Sequence, residues 1–207
     1  AQGAPHEKIN FETLGADFLA ISAHKMAGPT GIGCLLTSKE RIQEMGPFMT
    51  GGSMIKKVTT DGSTFKDGHA MFETGTPRIA EAIGWGAAVE WLEQFKMEDI
   101  HNHVHEIASF AGSEMEKIPG IKIFGNPSDK NSSGAVSFLH ETIQSQDLAL
   151  LLDQGGYAVR TGHHCAQPLM DALGVPSTNR ASFWIYNTKE EVEGFINHLR
   201  YICEKFA

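Results

Sequence analysis

The chain has 207 residues, enough for one large domain or two small ones, with 41% hydrophobic and 20% charged residues as in globular proteins. Its formal net charge of −8 argues against a nucleic-acid surface, because phosphate binding requires clusters of Lys and Arg. No apolar run reaches the ~18 residues that a transmembrane helix requires. The three cysteines, Cys34, Cys165 and Cys203, do not make a disulfide framework and favour a reducing compartment.

The first part of the chain predicts two strands around a lysine-containing turn, followed by helices. Ser38 is the expected N-cap of the first of these helices. Residues 46–75 lack sustained periodicity and are predicted to be an irregular segment with a functional or interface role. The predicted elements are strands at 15–25 and 31–37 and helices at Lys39–Met45, Pro77–Phe95 and about Met97–Ile118.

After Pro119-Gly120 the periodicity changes to a mixture of short strands and helices. The predicted strands are Lys122–Phe124, Ala135–Phe138, Tyr157–Val159 and Arg180–Tyr186, and the predicted helices are about Ser145–Gln154, Pro168–Leu173 and Lys189–Phe206. This pattern predicts an α/β protein, with a domain boundary between residues 1–95 and 96–207.

The segment Arg160-Thr-Gly-His-His-Cys165 carries the strongest chemical signal in the chain. A thiol is a strong nucleophile only as a thiolate, and neighbouring cationic or hydrogen-bonding groups favour that form. Arg160 and the imidazoles of His163 and His164 are such groups. The segment alone leaves two alternatives open, a buried structural cysteine and a zinc site.

A second segment, Ser22-Ala-His24-Lys25, follows an apolar run and precedes Gly28-Pro-Thr-Gly31-Ile-Gly33. A lysine between a strand and glycines is well placed to hold a reactive amine at a pocket edge. A P-loop does not fit, because there the lysine follows the glycines, and the third glycine of the dinucleotide fingerprint is lacking. From this segment alone, a surface lysine in a turn is the alternative.

Three histidines at alternate positions, His101, His103 and His105, invite a metal-site interpretation. On a helix only His101 and His105 share a face, and the zincin pattern H-E-x-x-H is not present. We therefore interpret these histidines as part of a solvated helix face and predict no metal site. Cys34, in an apolar strand, and Cys203, in the terminal helix, are interpreted as packed thiols.

Together these segments resemble the cysteine desulfurases, specifically the SufS-like group II branch, which also includes selenocysteine lyase-type members. Residues 22–33 are similar to the lysine region of that family, and residues 160–165 to its group II nucleophile loop. Phe72-Glu-Thr-Gly75-Thr76-Pro77 resembles the stretch that the dimer partner contributes to the active site. Arg180-Ala-Ser182 and Tyr186-Asn187-Thr188 resemble the strand that binds the substrate carboxylate and the turn after it.

The resemblance implies a fold-type I pyridoxal 5'-phosphate enzyme of the class V aminotransferase fold. Residues 1–95 would be the remainder of the cofactor-binding large domain, and residues 96–207 the small C-terminal α/β domain with the nucleophile loop. The first residues, Ala1-Gln2-Gly3-Ala4, resemble the tail of the family's Asp-Gly-Ala-Gln segment. With no initiating methionine and no signal peptide, and with family members roughly twice as long, the chain is interpreted as the C-terminal half of an enzyme, inactive on its own.

The resemblance also implies a role for each candidate site residue. Lys25 would hold the cofactor and act as the base at the substrate Cα, and His24 would lie near the phosphate and the substrate sulfur. Cys165 would attack that sulfur and carry a persulfide, in a loop shaped by His163 and His164. Gln2, Ser22 and Thr76 would contact the cofactor, Thr76 from the second subunit. Arg180 would bind the substrate carboxylate. Arg160 is a second candidate for binding the carboxylate, and it could instead polarise the thiol or pair with a local carboxylate.

The function implied is the conversion of L-cysteine to L-alanine by a homodimer that supplies sulfur, through a SufE-like acceptor protein, to iron–sulfur cluster assembly. The expected location is the cytoplasm, or an organelle of the plastid type in a eukaryote, with no nucleic-acid or membrane partner. Three alternatives stay open: a selenocysteine lyase acting on L-selenocysteine, a relative acting on cysteine sulfinate, and a non-catalytic truncated paralogue that serves as a binding partner.

Overall fold

The computed structural model describes all 207 residues and contains seven α-helices and eight β-strands. They divide between two units, Ala1–Met97 and Glu98–Ala207. None of the helices combines the length and the apolar character needed to cross a bilayer. In chain order the elements are α1 (Phe11–Leu14), β1 (Phe18–Ser22), β2 (Gly33–Thr37), α2 (Lys39–Glu44), β3 (Ile55–Thr59), β4 (Gly62–Phe65), α3 (Ile79–Leu92), α4 (Met97–Met115), β5 (Ile121–Phe124), β6 (Ala135–His140), α5 (Ser145–Gln154), β7 (Arg160–Gly162), α6 (Gln167–Leu173), β8 (Thr178–Ser182) and α7 (Lys189–Phe206).

In the first unit, β1 and β2 form an antiparallel hairpin in which Ser22 pairs with Gly33. The predicted strand at 15–25 is too long, because Ala23–Lys25 form a 3₁₀ turn directly after the strand. The turn reverses the chain within a few residues. The lysine segment is therefore a tight connection at the end of a strand.

Two helices of the first unit begin close to their predicted starts. The Ser38 hydroxyl accepts a hydrogen bond from the Arg41 amide at 3.3 Å and so caps α2. The helix α3 starts two residues after Pro77 and is apolar on all sides. A helix of that kind is normally buried, yet Ile79 and Ile83 are 59% and 71% exposed.

Residues 46–75 are not irregular throughout, contrary to the sequence-based prediction. The strands β3 and β4 form an antiparallel hairpin with a bulge between Ile55 and Lys57. Most side chains of both strands are exposed, including Val58. The alternation that predicts a strand arises when one face is buried, so this hairpin has no such signal.

The second unit is built on a four-stranded antiparallel sheet in the order β5-β6-β8-β7. Along β6 every second side chain is buried, among them Val136 and Phe138. Ser137 points to the opposite face, because successive side chains of a strand alternate. One row across that opposite face consists of Phe124, Ser137, Arg180 and Arg160.

The core of the second unit joins the buried face of this sheet to α4, α5 and α7. The Thr188 hydroxyl accepts a hydrogen bond from the Glu191 amide at 3.2 Å and starts α7. Each fully buried apolar side chain stabilises the fold by roughly 1.5–3 kcal/mol. The buried stripe of α7 consists of Val192, Phe195, Ile196, Leu199, Ile202 and Cys203.

The strand predicted at Tyr157–Val159 is misplaced, since β7 begins at Arg160. The Tyr157 amide donates to the Leu152 carbonyl at 3.0 Å and closes the end of α5. Its ring packs edge-on against Phe195, with 5.8 Å between centroids. The apolar residues before β7 therefore serve the core and the helix end, and the polar residues after them form the strand.

The strand predicted at Arg180–Tyr186 begins two residues earlier and ends at Ser182. The chain leaves the sheet because Asn187 closes a turn, its side-chain oxygen accepting a hydrogen bond from the Trp184 amide at 2.8 Å. The apolar alternation at Phe183 and Ile185 continues past the end of the strand, which is why sequence pattern alone extends it.

Candidate active site

Ser22, His24 and Lys25 lie together where β1 ends and the 3₁₀ turn begins. The Gly28 amide donates to the Ala23 carbonyl at 2.9 Å and closes the turn. Lys25 is half-buried, and its amine makes no ion pair or hydrogen bond. The turn therefore presents an amine that no other group of the chain engages.

Two glycines fix the shape of this turn through close backbone contacts. A Cβ on Gly33 would lie 2.6 Å from the Ile21 carbonyl oxygen. A Cβ on Gly28 would lie 2.9 Å from the Ala23 carbonyl oxygen and 3.0 Å from Cδ1 of Trp85. Real Cβ atoms do not approach backbone oxygens this closely, so both positions accept only glycine without a shift of the turn.

Cys165 lies in a short loop between β7 and α6, where its side chain is exposed. The Arg160 guanidinium donates to the Cys165 Sγ at 3.3 Å. A fixed cation beside sulfur favours the thiolate, the reactive form. The Cys165 sulfur is therefore both exposed and in contact with a cation, and the alternative of a buried structural cysteine is wrong.

Arg160 and Arg180 are register partners on β7 and β8, so their side chains leave the same face of the sheet. Neither guanidinium pairs with a carboxylate of the chain, and Arg180 donates to the Ser182 hydroxyl at 3.2 Å. Partial burial, followed by the charge of Arg160, lowers the pKa of Arg180. Two neighbouring cations without a carboxylate partner form a place that suits an anionic ligand.

Sequence reasoning missed one contact of this loop, between His164 and Thr178. His164 Nε2 lies 2.9 Å from the Thr178 hydroxyl oxygen and 3.1 Å from its carbonyl oxygen. Thr178 lies fourteen residues further along the chain, on β8. No sequence pattern indicates this pair, because a single polar residue in a strand does not reveal its partner.

A cleft of about 530 Å³ adjoins the nucleophile loop. It lies between the row of side chains on the open face of the sheet and α6. The sheet contributes polar side chains to its lining, and α6 contributes apolar ones. The residues that matter for its chemistry are Phe124, Ser137, His164, Leu169, Thr178 and Arg180.

The predicted site residues fall into two sets. Those expected to bind the cofactor belong to the first unit, and those expected to act on substrate sulfur and carboxylate belong to the second. Gln2 and Thr76 are exposed, the latter in the connection that precedes α3. Within the second set, Arg160 and Cys165 are joined directly by the hydrogen bond described above.

The other two cysteines differ from Cys165. Burial and, next, Glu204 raise the pKa of Cys203 to about 11, so this thiol is packed as predicted. Cys34 is exposed on β2, and the prediction of a packed thiol is wrong there, because the side chains of this hairpin are largely uncovered in the chain. Its remaining burial still raises the pKa of Cys34.

The histidines of α4 point in different directions. The rings of His101 and His105 stack on one face, with centroids 6.5 Å apart. His103 instead donates through Nε2 to the Asn187 carbonyl, at 3.0 Å. No group of three or more His, Cys, Asp or Glu side chains in the chain is arranged to hold a metal ion.

Comparison with known proteins connects these two sets of residues to one family. The sequence model of the family described as aminotransferase class-V matches residues 1–195. A probable cysteine desulfurase of Staphylococcus aureus (strain COL) is 45% identical over 207 residues, which are all of this chain and 50% of that protein. A cysteine desulfurase of Haloferax volcanii is 42% identical over the whole chain, which covers 48% of that protein.

Solved structures agree with the sequence comparison. The cysteine desulfurase CsdA from Escherichia coli superposes with a TM-score of 0.93 at 37% identity, over 99% of this chain and 50% of that one. The apo cysteine desulfurase from Thermococcus onnurineus NA1 gives a TM-score of 0.94 at 36% identity, over 99% and 51%. The chain thus spans about half the length of the relatives it matches. The predicted α/β fold and the resemblance to cysteine desulfurases are confirmed: the chain belongs to the class V aminotransferase family and is a homologue of cysteine desulfurases.

Proposed function

We propose that the chain is the C-terminal portion of a pyridoxal phosphate-dependent cysteine desulfurase of the group II branch. The whole enzyme converts L-cysteine to L-alanine and leaves a persulfide on Cys165. The observation that carries the proposal is the Arg160 guanidinium placed 3.3 Å from an exposed Cys165 sulfur. The names of the relatives and the coverage of the whole chain support it.

The lysine turn fits pyridoxal phosphate. An aldehyde cofactor needs an uncommitted amine, and Lys25 offers one that is half-buried and makes no hydrogen bond or ion pair within the chain. The side chains of Ser22 and His24 are likewise unengaged and adjacent, which suits them to the phosphate and the ring. Gln2 and, from the second subunit, Thr76 complete the proposed contacts. When bound, the cofactor supplies an electron sink for the pair left as Cα loses its proton.

The residues of the chain divide the reaction between them. Lys25 Nζ takes the proton from the substrate Cα, and the Arg180 guanidinium holds the substrate carboxylate, matching both oxygens. Cys165 Sγ attacks the substrate sulfur. A sulfur–sulfur bond forms as the carbon–sulfur bond breaks, and the electron pair stays with the substrate carbon. That carbon takes up the proton that the Cys165 thiol releases, and Lys25 Nζ returns its proton to Cα, so cysteine and one protein thiol give alanine and one protein persulfide.

The exposed position of Cys165 suits onward transfer of the sulfur. In our proposal a SufE-like protein takes it from the persulfide and delivers it to iron–sulfur cluster assembly. The full-length enzyme is a homodimer, because the segment around Thr76 acts in the site of the other copy. Three free cysteines and no disulfide fit a reducing compartment, which we take to be the cytoplasm or an organelle of the plastid type.

The Cys165→Ser variant of the full-length, cofactor-loaded enzyme tests the proposal. We expect the cofactor to load normally and alanine formation to fall about 100-fold or more, because a hydroxyl is far less ionised than a thiol. Cys34→Ser, which changes the other exposed thiol, is the matched control and should keep wild-type activity.

Mass spectrometry of the wild-type enzyme after treatment with L-cysteine gives the second measurement. We expect one additional sulfur on the peptide that contains Cys165. An additional sulfur on Cys34 or Cys203, or undiminished alanine formation by Cys165→Ser, would remove Cys165 from the mechanism.

A further inference from the structure

The backbone of the nucleophile loop adopts an unfavourable conformation at two successive residues. His164 and Cys165 have φ of 56° and 59°, the left-handed region that L-residues with side chains rarely occupy. The loop has one backbone hydrogen bond of its own, from the Ala166 amide to the His163 carbonyl at 2.8 Å. Other contacts must therefore hold the conformation that brings the sulfur to Arg160.

The side chain of His164 supplies that contact. Its Nε2 lies 2.9 Å and 3.1 Å from the two oxygens of Thr178, and Thr178 is buried in β8 with 1% exposure. A carbonyl oxygen only accepts hydrogen bonds, so Nε2 carries the hydrogen in this arrangement. Nδ1 is then the unprotonated nitrogen, and it is buried without a hydrogen-bond partner.

The surroundings favour the neutral ring. Burial is the main cause that lowers the pKa of His164, and the charges of Arg180, Arg160 and His163 add to it, against one opposing contribution from the Thr178 carbonyl. A second proton would place an N–H at the buried Nδ1, which has no acceptor.

The remaining elements around the ring contribute no compensating negative charge. From α6 the apolar side chains Leu169, Met170 and Leu173 line the cleft shared with His164. From β5 and β6 the lining side chains are Phe124 and Ser137. Protonation of His164 would therefore add a positive charge beside two arginines, with no carboxylate facing it.

We infer that His164 is a positioning residue, whose neutral ring fastens the nucleophile loop to Thr178 and keeps Cys165 beside Arg160. This role rests on the proposed function, since it concerns the delivery of the same thiol. Because the pKa of His164 is lowered by burial, the ring becomes protonated, and the loop loosens, only as the pH falls below 6.5, the ordinary pKa of histidine. The Lys25 turn belongs to the other unit, so cofactor attachment should not follow the same pH dependence.

The test uses the full-length, cofactor-loaded enzyme and two variants of this residue. In His164→Ala we expect both the alkylation of Cys165 by iodoacetamide and the transfer of sulfur to it to slow about tenfold or more, with the cofactor absorbance unchanged. His164→Gln keeps a neutral N–H donor, so at pH 8 it should stay within about threefold of wild type. Below pH 6.5 its alkylation rate should fall less steeply than that of wild type, because only the loss of thiolate then slows the reaction. His101→Gln, a change of the same kind at a histidine of α4 outside the nucleophile loop, is the matched control and should behave as wild type.

Wild-type alkylation and sulfur-transfer rates in His164→Ala would overturn the inference, as would an unchanged acid decline in His164→Gln. Loss of cofactor absorbance in both His164 variants would also overturn it, because general disruption of the fold then explains the result. Alkylation does not require desulfurase activity. Failure of the proposed function, seen as normal alanine formation by Cys165→Ser, is therefore distinguishable from failure of this inference.

Discussion

The two units of the chain differ in how completely they bury their apolar residues. In the first unit three apolar residues are buried, namely Ala23, Met54 and Leu92. The second unit has a continuous core that joins its sheet to three helices. The difference is not one of composition, since α3 in the first unit is apolar on all sides and still largely exposed.

An apolar helix that remains exposed indicates that further protein normally covers it. The chain spans about half the length of the relatives it matches. The second unit needs no such cover for its own core. We therefore expect the second unit to behave as an independent folding unit and the first unit to depend on contacts with further protein.

The largest effect is expected from a substitution that removes cofactor attachment in the first unit and leaves the thiol of the second unit intact. Lys25→Ala in the full-length protein should abolish the visible absorbance of the bound cofactor and the turnover of cysteine. Alkylation of Cys165 should keep its wild-type rate, because the thiol and its Arg160 contact both belong to the other unit. Lys39→Ala, an exposed lysine on α2, is the control. Detection of a borohydride-reducible adduct at another lysine would show that Lys25 is not the attachment point.

The next largest difference is expected when the two units are expressed as separate polypeptides and their unfolding is compared. Residues 98–207 should unfold cooperatively in urea with a sigmoidal loss of circular dichroism. Residues 1–97 should lack such a transition or aggregate, because their apolar surface is uncovered. A cooperative transition in residues 1–97 and none in residues 98–207 would show that the second unit is not the one that folds independently.

Within residues 98–207, shortening one buried side chain measures how closely the core is packed. Phe138→Ala should lower the free energy of unfolding by about 3–5 kcal/mol, since a buried aromatic side chain leaves a cavity. Leu150→Ala, at a residue of α5 that is 57% exposed, should change it by less than about 0.5 kcal/mol. Similar urea midpoints for both variants would mean that Phe138 does not support the core.

The smallest effect concerns Cys203 and alkaline pH. Because its folded-state pKa is raised to about 11, the stability it contributes is complete below the unfolded pKa of about 8.5 and is lost as pH rises toward 11. The urea midpoint of residues 98–207 should therefore fall above pH ~9, and fall less in Cys203→Ala. An identical alkaline decline in both proteins would show that other groups cause it.

Local signals in the sequence predicted some elements well. The helices α5 and α7 begin and end where the pattern of apolar residues places them, and Thr188 supplies the cap that starts α7. These features depend on residues within one or two turns of each other. The lysine turn and the nucleophile loop were also recognisable, because each is a contiguous motif.

Contacts between distant residues account for what the sequence did not reveal. The start of β7 depends on Tyr157 closing α5, and the end of β8 depends on the turn at Asn187. The link between His164 and Thr178 requires the sheet order, in which β8 lies beside β7. The hairpin β3–β4 was missed for another reason, since its exposed faces remove the alternation that marks a strand.

The two close contacts at Gly28 and Gly33 determine how the lysine turn responds to mutation. Both contacts are with backbone oxygens, which cannot move aside as the end of a side chain can. In a saturation library of the parent enzyme, these two positions should tolerate no replacement, whereas the exposed strands of the β3–β4 hairpin should accept many. The position of the Lys25 amine is thus set by the course of the main chain, and replacement of the side chains around it should disturb that position less than replacement of either glycine.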